Sequence, residues 1–160
     1  MSSIKIRRIQ ECDNEVMARI IRNCLKENKA DLPGTAFADK SLDALYDFYQ
    51  DSNSRYFVAT KGKNVVGGAG IAPLPNTIDV CELQKMYISK TMRRQGAAKM
   101  LIETCLSFAK NAPFKQCYIE TMPQMLPAQN LYRQYGFDFI DQAMGATGHH
   151  ACTVYMLKEL

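Results

Sequence analysis

The sequence lacks the segments that place a protein in or across a membrane. No apolar run approaches the roughly 20 residues that a membrane-spanning helix needs. The N-terminal stretch MSSIKIRRIQECDNE is charged and contains no apolar signal-peptide core. We therefore expect a chain that has no membrane partner and that works in the cytoplasm.

Cysteine pairs at metal-binding or redox spacing are also missing. None of the six cysteines forms a CxxC motif, and most of them lie in apolar segments. This usage is typical of reduced, buried thiols in a cytoplasmic protein. His149-His150-Ala151-Cys152 contains potential metal ligands, but neighbours in an extended chain point to opposite faces, so only His150 and Cys152 would share a side. We predict no metal site.

Motifs for nucleotides and nucleic acids are absent as well. The net charge is only +4 and no long Lys/Arg run occurs, so a nucleic-acid partner is not indicated. Neither the GxxxxGK[ST] pattern of nucleotide hydrolases nor the GxGxxG pattern of dinucleotide-binding folds is present. Repeats, linkers and low-complexity segments are missing too, and 160 residues suit one domain with a sizeable core. We predict a single domain over residues 1–160.

What the sequence does contain is a strand, a basic turn and a helix within residues 80–111. Val80–Ile88 is rich in β-branched and aromatic residues, which predicts a strand. The following turn, 89–94, is polar and positive, and a helical pattern begins at Gly96. The predicted helix has an apolar face of Ala97, Leu101, Cys105 and Phe108 and a polar face of Lys99, Glu103, Ser107 and Lys110. It should pack on a sheet.

The start of this helix has the properties of a phosphate site. Its first amides are unpaired and carry partial positive charge. Gly96, Ala97 and Ala98 have little or no side chain, so a phosphate could approach those amides closely. Arg93 and Arg94 add permanent charge. Other lysines, Lys85, Lys90 and Lys99, are expected around the same site. The alternative is an ordinary basic turn before a helix.

The apolar pattern of the central strand changes phase along its length. Cys81 and Leu83 share one face, whereas Met86 and Ile88 have the opposite parity. A one-residue bulge near residue 84 or 85 would reconcile the two halves. A strand buried on both faces would need no bulge and is the alternative.

The remaining elements follow from periodicity and turn residues. Ser41 or Asp39 could cap a second helix that continues to about Gln50. The other predicted strands are Ile4–Ile9, Arg55–Thr60, Val65–Pro73, Gln116–Glu120, Phe137–Asp141 and Cys152–Leu157, and the other helices are Asn14–Lys26 and one with Pro127 in its first turn that stops at Gly136.

Two motifs resemble the GNAT family, the GCN5-related N-acetyltransferases. Residues 93–98, RRQGAA, match the family's [RQ]xxGx[GA] signature for the pyrophosphate of acetyl-CoA, although many members have Gly where Ala98 stands. Residues 128–137, AQNLYRQYGF, resemble its second motif, AxxLYxxxGF. The resemblance implies an α/β fold with a mixed, mostly antiparallel sheet of six or seven strands. About four helices would flank the sheet, and its central strand pair would be splayed.

The resemblance also implies where acetyl-CoA binds. Main-chain groups of Met86, Tyr87 and Ile88 would pair with the pantetheine arm. The pyrophosphate would lie on the signature, which consists of Arg93, Arg94, Gln95, Gly96, Ala97 and Ala98. Asn130 matches a position whose amide often bonds the pantetheine arm.

Catalytic candidates come from the same resemblance. Tyr132 matches the motif tyrosine that usually faces the cofactor sulfur, and it would protonate the leaving thiolate; otherwise it is a core aromatic. Glu82 matches a glutamate that serves some members as base; otherwise it is a strand-end carboxylate. An oxyanion donor could be the backbone N–H of Tyr87. The loop 145–150 would edge the acceptor site, where His149 or His150 could bind substrate or assist proton removal.

We therefore predict an acetyl-CoA-dependent N-acetyltransferase that acts on a primary amine by direct attack in a ternary complex, since no cysteine occupies an evident nucleophile position. A small-molecule amine is favoured over a protein N-terminus or lysine. The alternative from another class is a catalytically silent module that binds or senses acyl-CoA. A homodimer is left open.

Overall fold

The computed structural model describes residues 2–160. These residues form one seven-stranded sheet in the order β1-β2-β3-β4-β5-β7-β6, in which only β4 and β5 are parallel neighbours. The elements are β1 (Ile4–Arg8), α1 (Asn14–Glu27), α2 (Leu45–Phe48), β2 (Arg55–Lys61), β3 (Asn64–Pro73), β4 (Val80–Ile88), α3 (Ala97–Asn111), β5 (Gln116–Thr121), α4 (Leu126–Gln134), β6 (Asp138–Ile140) and β7 (Val154–Glu159). The predicted fold class is confirmed.

The sheet separates two apolar layers. The buried face of α3 packs on one side, where Leu101, Ile102 and Cys105 belong to the same cluster as strand residues of β2 to β5. The helix α1 and the segment around α2 pack on the other side, in a second cluster that includes Met17 and Leu45. None of the helices described in residues 2–160 combines the length and the apolar character of a membrane span.

The predicted splay between the central strands is present. β4 and β5 pair only over Val80–Glu82 and Gln116–Tyr118, and they diverge toward their C-terminal ends. Because the strands are parallel, α3 and α4, which follow them, both begin near the open end of this gap. On its other side β4 pairs with β3 along nearly its whole length, with a single shift of register.

The predicted bulge in β4 is also confirmed. Gly68 of β3 lies opposite Tyr87, whereas Gly70 lies opposite Gln84, so β4 carries one extra residue between these two pairs. Lys85 has a positive φ of 50°, a backbone conformation that L-residues seldom adopt. Its carbonyl accepts a hydrogen bond of 2.8 Å from the Tyr56 hydroxyl, which helps to hold the bulge.

The predicted second helix is wrong in its extent and in its cap. A 3₁₀ segment spans Lys40–Asp43 and a single helical turn, α2, follows at Leu45–Phe48. Neither Asp39 nor Ser41 caps it, because the Asp39 carboxylate contacts Lys85 and His149 instead. In this shorter form Leu42, Leu45 and Tyr49 are fully buried.

Candidate active site

The turn between β4 and α3 leaves an open recess at the helix start. Gly96 precedes the first turn of α3 with φ 90° and ψ −3°, and a Cβ built there would have no heavy atom within 4 Å. No side chain caps the helix, so its first amides are available to an anion. The α3 recess is lined by Ile88, Met92, Arg93, Arg94, Gly96, Ala97, Ala98, Lys99 and Leu131.

The two arginines of this turn have different surroundings. Arg93 forms an ion pair of 2.9 Å with Glu27 of α1 and donates hydrogen bonds to the Ile88 carbonyl (3.1 Å) and the Cys24 thiol (3.3 Å). Burial lowers the pKa of Arg93, but the bonds to Glu27 and Cys24 together outweigh it, so the pKa is raised overall. Arg94 is exposed, has φ 61° and makes no ion pair with residues 2–160. Arg93 therefore braces the turn, and Arg94 is the arginine available to a ligand.

The other signature residues lie around the same recess. Ala97 is buried and Ala98 is half-buried, both at its wall. The Gln95 side chain is exposed and accepts a hydrogen bond of 2.9 Å from Lys61. Asn130 is exposed on α4, and its neighbour Leu131 is the α4 residue that lines the recess.

The backbone of residues 86–88 runs along the open side of the gap. Met86 and Tyr87 are half-buried there and Ile88 is buried. The Ile88 carbonyl already accepts hydrogen bonds from Arg93 and from the Cys24 thiol. The main-chain groups of Tyr87 face Gly68 of β3, because Ser89, two residues further on, donates to Val66 across the same strand pair. Main-chain pairing with a pantetheine arm would therefore fall mainly on Met86 and on the Ile88 amide.

Glu82 lies in a narrow cavity at the point where the two strands separate. Its carboxylate is buried and accepts a hydrogen bond from the Gln84 amide, whose oxygen in turn accepts a 2.6 Å bond from the Tyr49 hydroxyl. Burial raises the pKa of Glu82, and the bond from Gln84 offsets part of that increase. Among the other residues that line this gap cavity are Tyr87, Glu120, Met122, Met125, His149 and Cys152.

Tyr132 is buried on α4 and is not in the cavity that contains Glu82. Its ring packs edge-on against Phe137 with centroids 6.0 Å apart, and its hydroxyl has no hydrogen-bond partner among residues 2–160. Burial raises the pKa of Tyr132, so the hydroxyl keeps its proton at neutral pH. The two catalytic candidates therefore do not line one cavity.

A wider cleft opens beside Glu82, on the side away from the α3 recess. The acceptor cleft, as we call it, is lined by Asp39, Lys40, Ser41, Ala44, Asp47, Phe48, Pro75, Glu82, Gln84, Lys85, Ala146, Thr147 and His149. It shares no lining residue with the α3 recess. The placement of Lys85 near the phosphate site is therefore wrong, because the bulge turns its side chain into the acceptor cleft.

Asp39 is the centre of an ionic cluster in this cleft, which sequence reasoning missed. Its carboxylate lies 2.8 Å from the Lys85 ammonium and 2.8 Å from Nε2 of His149. Burial raises the pKa of Asp39, but the bond to His149 and the charge on Lys85 outweigh it, so the pKa is lowered overall. Burial lowers the pKa of His149, and Asp39 more than compensates, so that pKa is raised. No local sequence signal joins residues 39, 85 and 149.

The loop 141–153 covers one edge of the acceptor cleft. It is fastened by Thr147, whose hydroxyl donates to Glu120 (2.7 Å), and by backbone bonds from Ala146 to Pro75 (3.1 Å) and from Ala151 to Gly34 (3.0 Å). Residues 149–152 form a turn rather than the extended chain assumed from the sequence. Across residues 2–160, no group of three or more His, Cys, Asp or Glu side chains is placed to hold a metal ion.

Comparison with known proteins agrees with this geometry. The profile of the acetyltransferase (GNAT) family matches residues 20–137. A protein of Escherichia coli (strain K12), named "uncharacterized N-acetyltransferase YjgM", is 43% identical over 158 residues, which cover 97% of this chain and 94% of that protein.

Two solved structures show the same fold. The GNAT-family acetyltransferase from Staphylococcus aureus Mu50 superposes with a TM-score of 0.87 at 20% identity and covers 99% of both chains. The PaiA N-acetyltransferase from Thermoplasma acidophilum, solved in complex with coenzyme A, superposes with a TM-score of 0.76 at 15% identity, again over 99% of both chains.

The family profile and the Escherichia coli relative, together with the recess at the start of α3, indicate an acyl-CoA-dependent transferase. The chain belongs to the acetyltransferase (GNAT) family. The predicted family, the enzyme class of N-acetyltransferase and the cosubstrate acetyl-CoA, which this family uses, are confirmed.

Proposed function

We propose that this enzyme transfers the acetyl group of acetyl-CoA to a primary amine of a small molecule, by direct attack in a ternary complex. The observation that carries the proposal is the gap between β4 and β5. The α3 recess lies at one mouth and the acceptor cleft at another, with no lining residue in common. Both cosubstrates can therefore occupy the gap together, as direct transfer requires.

The residues of the α3 recess fit a pyrophosphate. The amides at the start of α3 face open space beside Gly96, which supplies no side chain to obstruct them. Arg94 adds an exposed, permanent positive charge. Lys99 lines the same recess. Amides, helix dipole and two cations together provide an anion site without a metal.

In the reaction, the C–N bond forms as the thioester C–S bond breaks. Glu82 accepts the proton that the amine loses, directly or through water. A β4 amide that faces the gap, that of Ile88 rather than the Tyr87 amide on the β3 side, donates to the carbonyl oxygen as negative charge develops on it, and Tyr132 gives its proton to the departing sulfur. A buried carboxylate with a raised pKa suits the first role. Tyr132 carries its proton at neutral pH, as the last role requires, and burial makes it a weaker acid than a free tyrosine.

We favour a small acceptor because the charged side chains of Asp39, Lys85 and His149 lie close together in the lining of the acceptor cleft. Its walls come from the segment 39–48, from Pro75 and from the loop 141–153, and these are fastened to one another. We further propose that residues 1–160 work as one domain and in the cytoplasm, the latter supported by six unpaired cysteines.

Initial rates of coenzyme A release test the proposal. A panel of small primary amines, an N-terminal peptide and a lysine peptide should show turnover with small amines first. Rates measured while both substrates are varied should give intersecting lines, whereas parallel lines would reject the ternary complex. Tight acetyl-CoA binding with no turnover of any amine would favour the silent acyl-CoA-binding module.

A further inference from the structure

Glycines in the middle of β3 leave a space that two tyrosines fill. A Cβ added at Gly68 would lie 2.5 Å from the ring of Tyr56. One added at Gly70 would lie 2.7 Å from that ring and 2.8 Å from the ring of Tyr49. The two rings pack against each other with centroids 5.2 Å apart, and both tyrosines are fully buried. The missing side chains of β3 therefore make room for this tyrosine pair.

The hydroxyls of the tyrosine pair reach two consecutive residues of β4. Tyr56 donates to the Lys85 carbonyl at the bulge over 2.8 Å. Tyr49 donates to the side-chain oxygen of Gln84 over 2.6 Å. Gly70 lies opposite Gln84 in the strand pair, so its missing side chain opens the space between the Tyr49 ring and the Gln84 amide. One hydroxyl thus supports the bulge, and the other contacts the Gln84 side chain.

The bond from Tyr49 selects one of the two orientations open to the Gln84 amide. Burial raises the pKa of Tyr49, so the hydroxyl keeps its proton, and within residues 2–160 it donates only to Gln84. The amide oxygen therefore faces Tyr49, which leaves the amide nitrogen to donate to Glu82. In the reverse orientation the amide oxygen would face Glu82, an arrangement that suits only a protonated carboxyl.

We propose that Tyr49 is a positioning residue for acetyl transfer: its hydroxyl holds the Gln84 amide in the orientation that donates to Glu82 and so favours the ionised carboxylate. This inference rests on the proposed function, in which Glu82 is the base. Tyr49 is fully buried and lines neither the α3 recess nor the acceptor cleft. It therefore acts through Gln84 and not on a substrate.

Other charged or titratable side chains surround Glu82 on several elements. They come from β4, β5, the loop 141–153 and the segment 39–48, and they are Lys85, Tyr87, Glu120, His149, Cys152 and Asp39. Burial raises the pKa of Glu82 and the Gln84 bond lowers it; beyond these, Lys85 and His149 lower it and Glu120 raises it. Tyr49→Phe leaves all of these groups in place. A change in the titration of Glu82 in that variant would therefore report the Gln84 amide.

Direct titration of Glu82 tests the inference without turnover. NMR follows the glutamate carboxyl carbons of isotope-labelled protein against pH, and Glu82→Gln identifies the signal. In Tyr49→Phe the pKa of Glu82 should rise, because an amide that is free to reverse can accept from the protonated carboxyl.

Tyr56→Phe is the matched control. It removes an equally buried hydroxyl from the same pair, but one bonded to a backbone carbonyl. The two variants should lose similar stability in thermal unfolding, and Tyr56→Phe should leave the titration of Glu82 unchanged. No rise in Tyr49→Phe, or an equal rise in both variants, would overturn the inference.

A double variant shows whether Tyr49 acts through the amide. Once Gln84→Leu is present, adding Tyr49→Phe should cause no further rise in the pKa of Glu82, because the group that Tyr49 orients is gone. A further rise in the folded double variant would mean that Tyr49 influences Glu82 by another route, which would contradict the assignment.

Kinetics connects this arrangement to catalysis. On the acidic side of the pH profile, kcat/KM of Tyr49→Phe for an amine should fall by about 2- to 10-fold, the effect of one hydrogen bond, and it should approach the wild-type value at higher pH. KM for acetyl-CoA should not change. If the NMR titration moves and the pH profile does not, Glu82 is not the base and Tyr49 has no role in transfer. If the wild-type profile follows Glu82 but Tyr49→Phe moves neither measurement, only the role of Tyr49 is rejected.

Discussion

Gly96 and Gly136 provide a matched test of the α3 recess. Both have φ 90°, Gly96 before α3 and Gly136 after α4. An alanine at either position should cost about 1–2 kcal/mol of folding free energy, because L-residues are strained in the left-handed region. A Cβ at residue 96 meets nothing within 4 Å, and one at residue 136 meets the mobile end of Lys158. The two variants should therefore lose similar stability.

Only the first substitution should affect the cofactor. A methyl group at residue 96 projects into the space from which a phosphate would approach the α3 amides. Loss of one charge-assisted hydrogen bond, about 1.5–3 kcal/mol, weakens acetyl-CoA binding by roughly 10- to 100-fold. Gly96→Leu should abolish binding while the fold persists.

Calorimetry with acetyl-CoA on both folded variants checks this expectation, with unfolding followed by circular dichroism. If Gly96→Ala and Gly96→Leu bind acetyl-CoA as tightly as Gly136→Ala does, the helix start is not the pyrophosphate site.

Three further predictions concern proton transfer and charge. Tyr132→Phe should lower kcat by a factor of about 10²–10⁴ with little change in acetyl-CoA affinity. Tyr135→Phe, just after the same helix, should leave kcat unchanged. If chemistry is rate-limiting and Tyr132→Phe has the wild-type kcat, Tyr132 is not part of the mechanism. In a plot of kcat/KM against pH, the fall toward acid should have an apparent pKa above that of an ordinary glutamate, because burial raises the pKa of Glu82. In Gln84→Leu this apparent pKa should rise further, because the Gln84 amide donates a hydrogen bond that stabilises the ionised form of Glu82. An unchanged apparent pKa would argue against Glu82 as the base. Arg94→Ala should weaken acetyl-CoA binding more at low salt than at high salt, and an effect independent of salt would exclude a screened contact with phosphate.

The central strand shows how far sequence reasoning reaches. The shift of apolar parity along β4 predicts the bulge because side chains alternate strictly in a strand, and the bulge is found at Lys85. The helix after it is predicted for the same kind of reason, since its apolar face repeats at helical spacing. Such periodicity depends only on residues that are close in the sequence, so it predicts a bulge or a helix without knowledge of the fold.

The acceptor cleft could not be predicted in this way. Asp39, Lys85 and His149 are separated by long stretches of chain, and nothing in the residues around Asp39 distinguishes an ionic partner from a helix cap. The direction of Lys85 depends on the bulge, which reverses the face to which its side chain points. Arg93 presents the same difficulty: the motif indicates a phosphate ligand, whereas the fold brings Glu27 and Cys24 to its guanidinium.

The fastening of the two loops around the acceptor cleft has a consequence for how this enzyme can diversify. The segments that contain Asp39 and His149 lie outside the regular strands and helices, yet each holds the other through the bond between those two side chains. A substitution at one of them alone would leave a partly buried charge without its partner, a cost that selection removes. Among relatives, residues 39 and 149 should therefore be retained together and replaced together when acceptor preference changes. The turn at Gly96 should not vary with them.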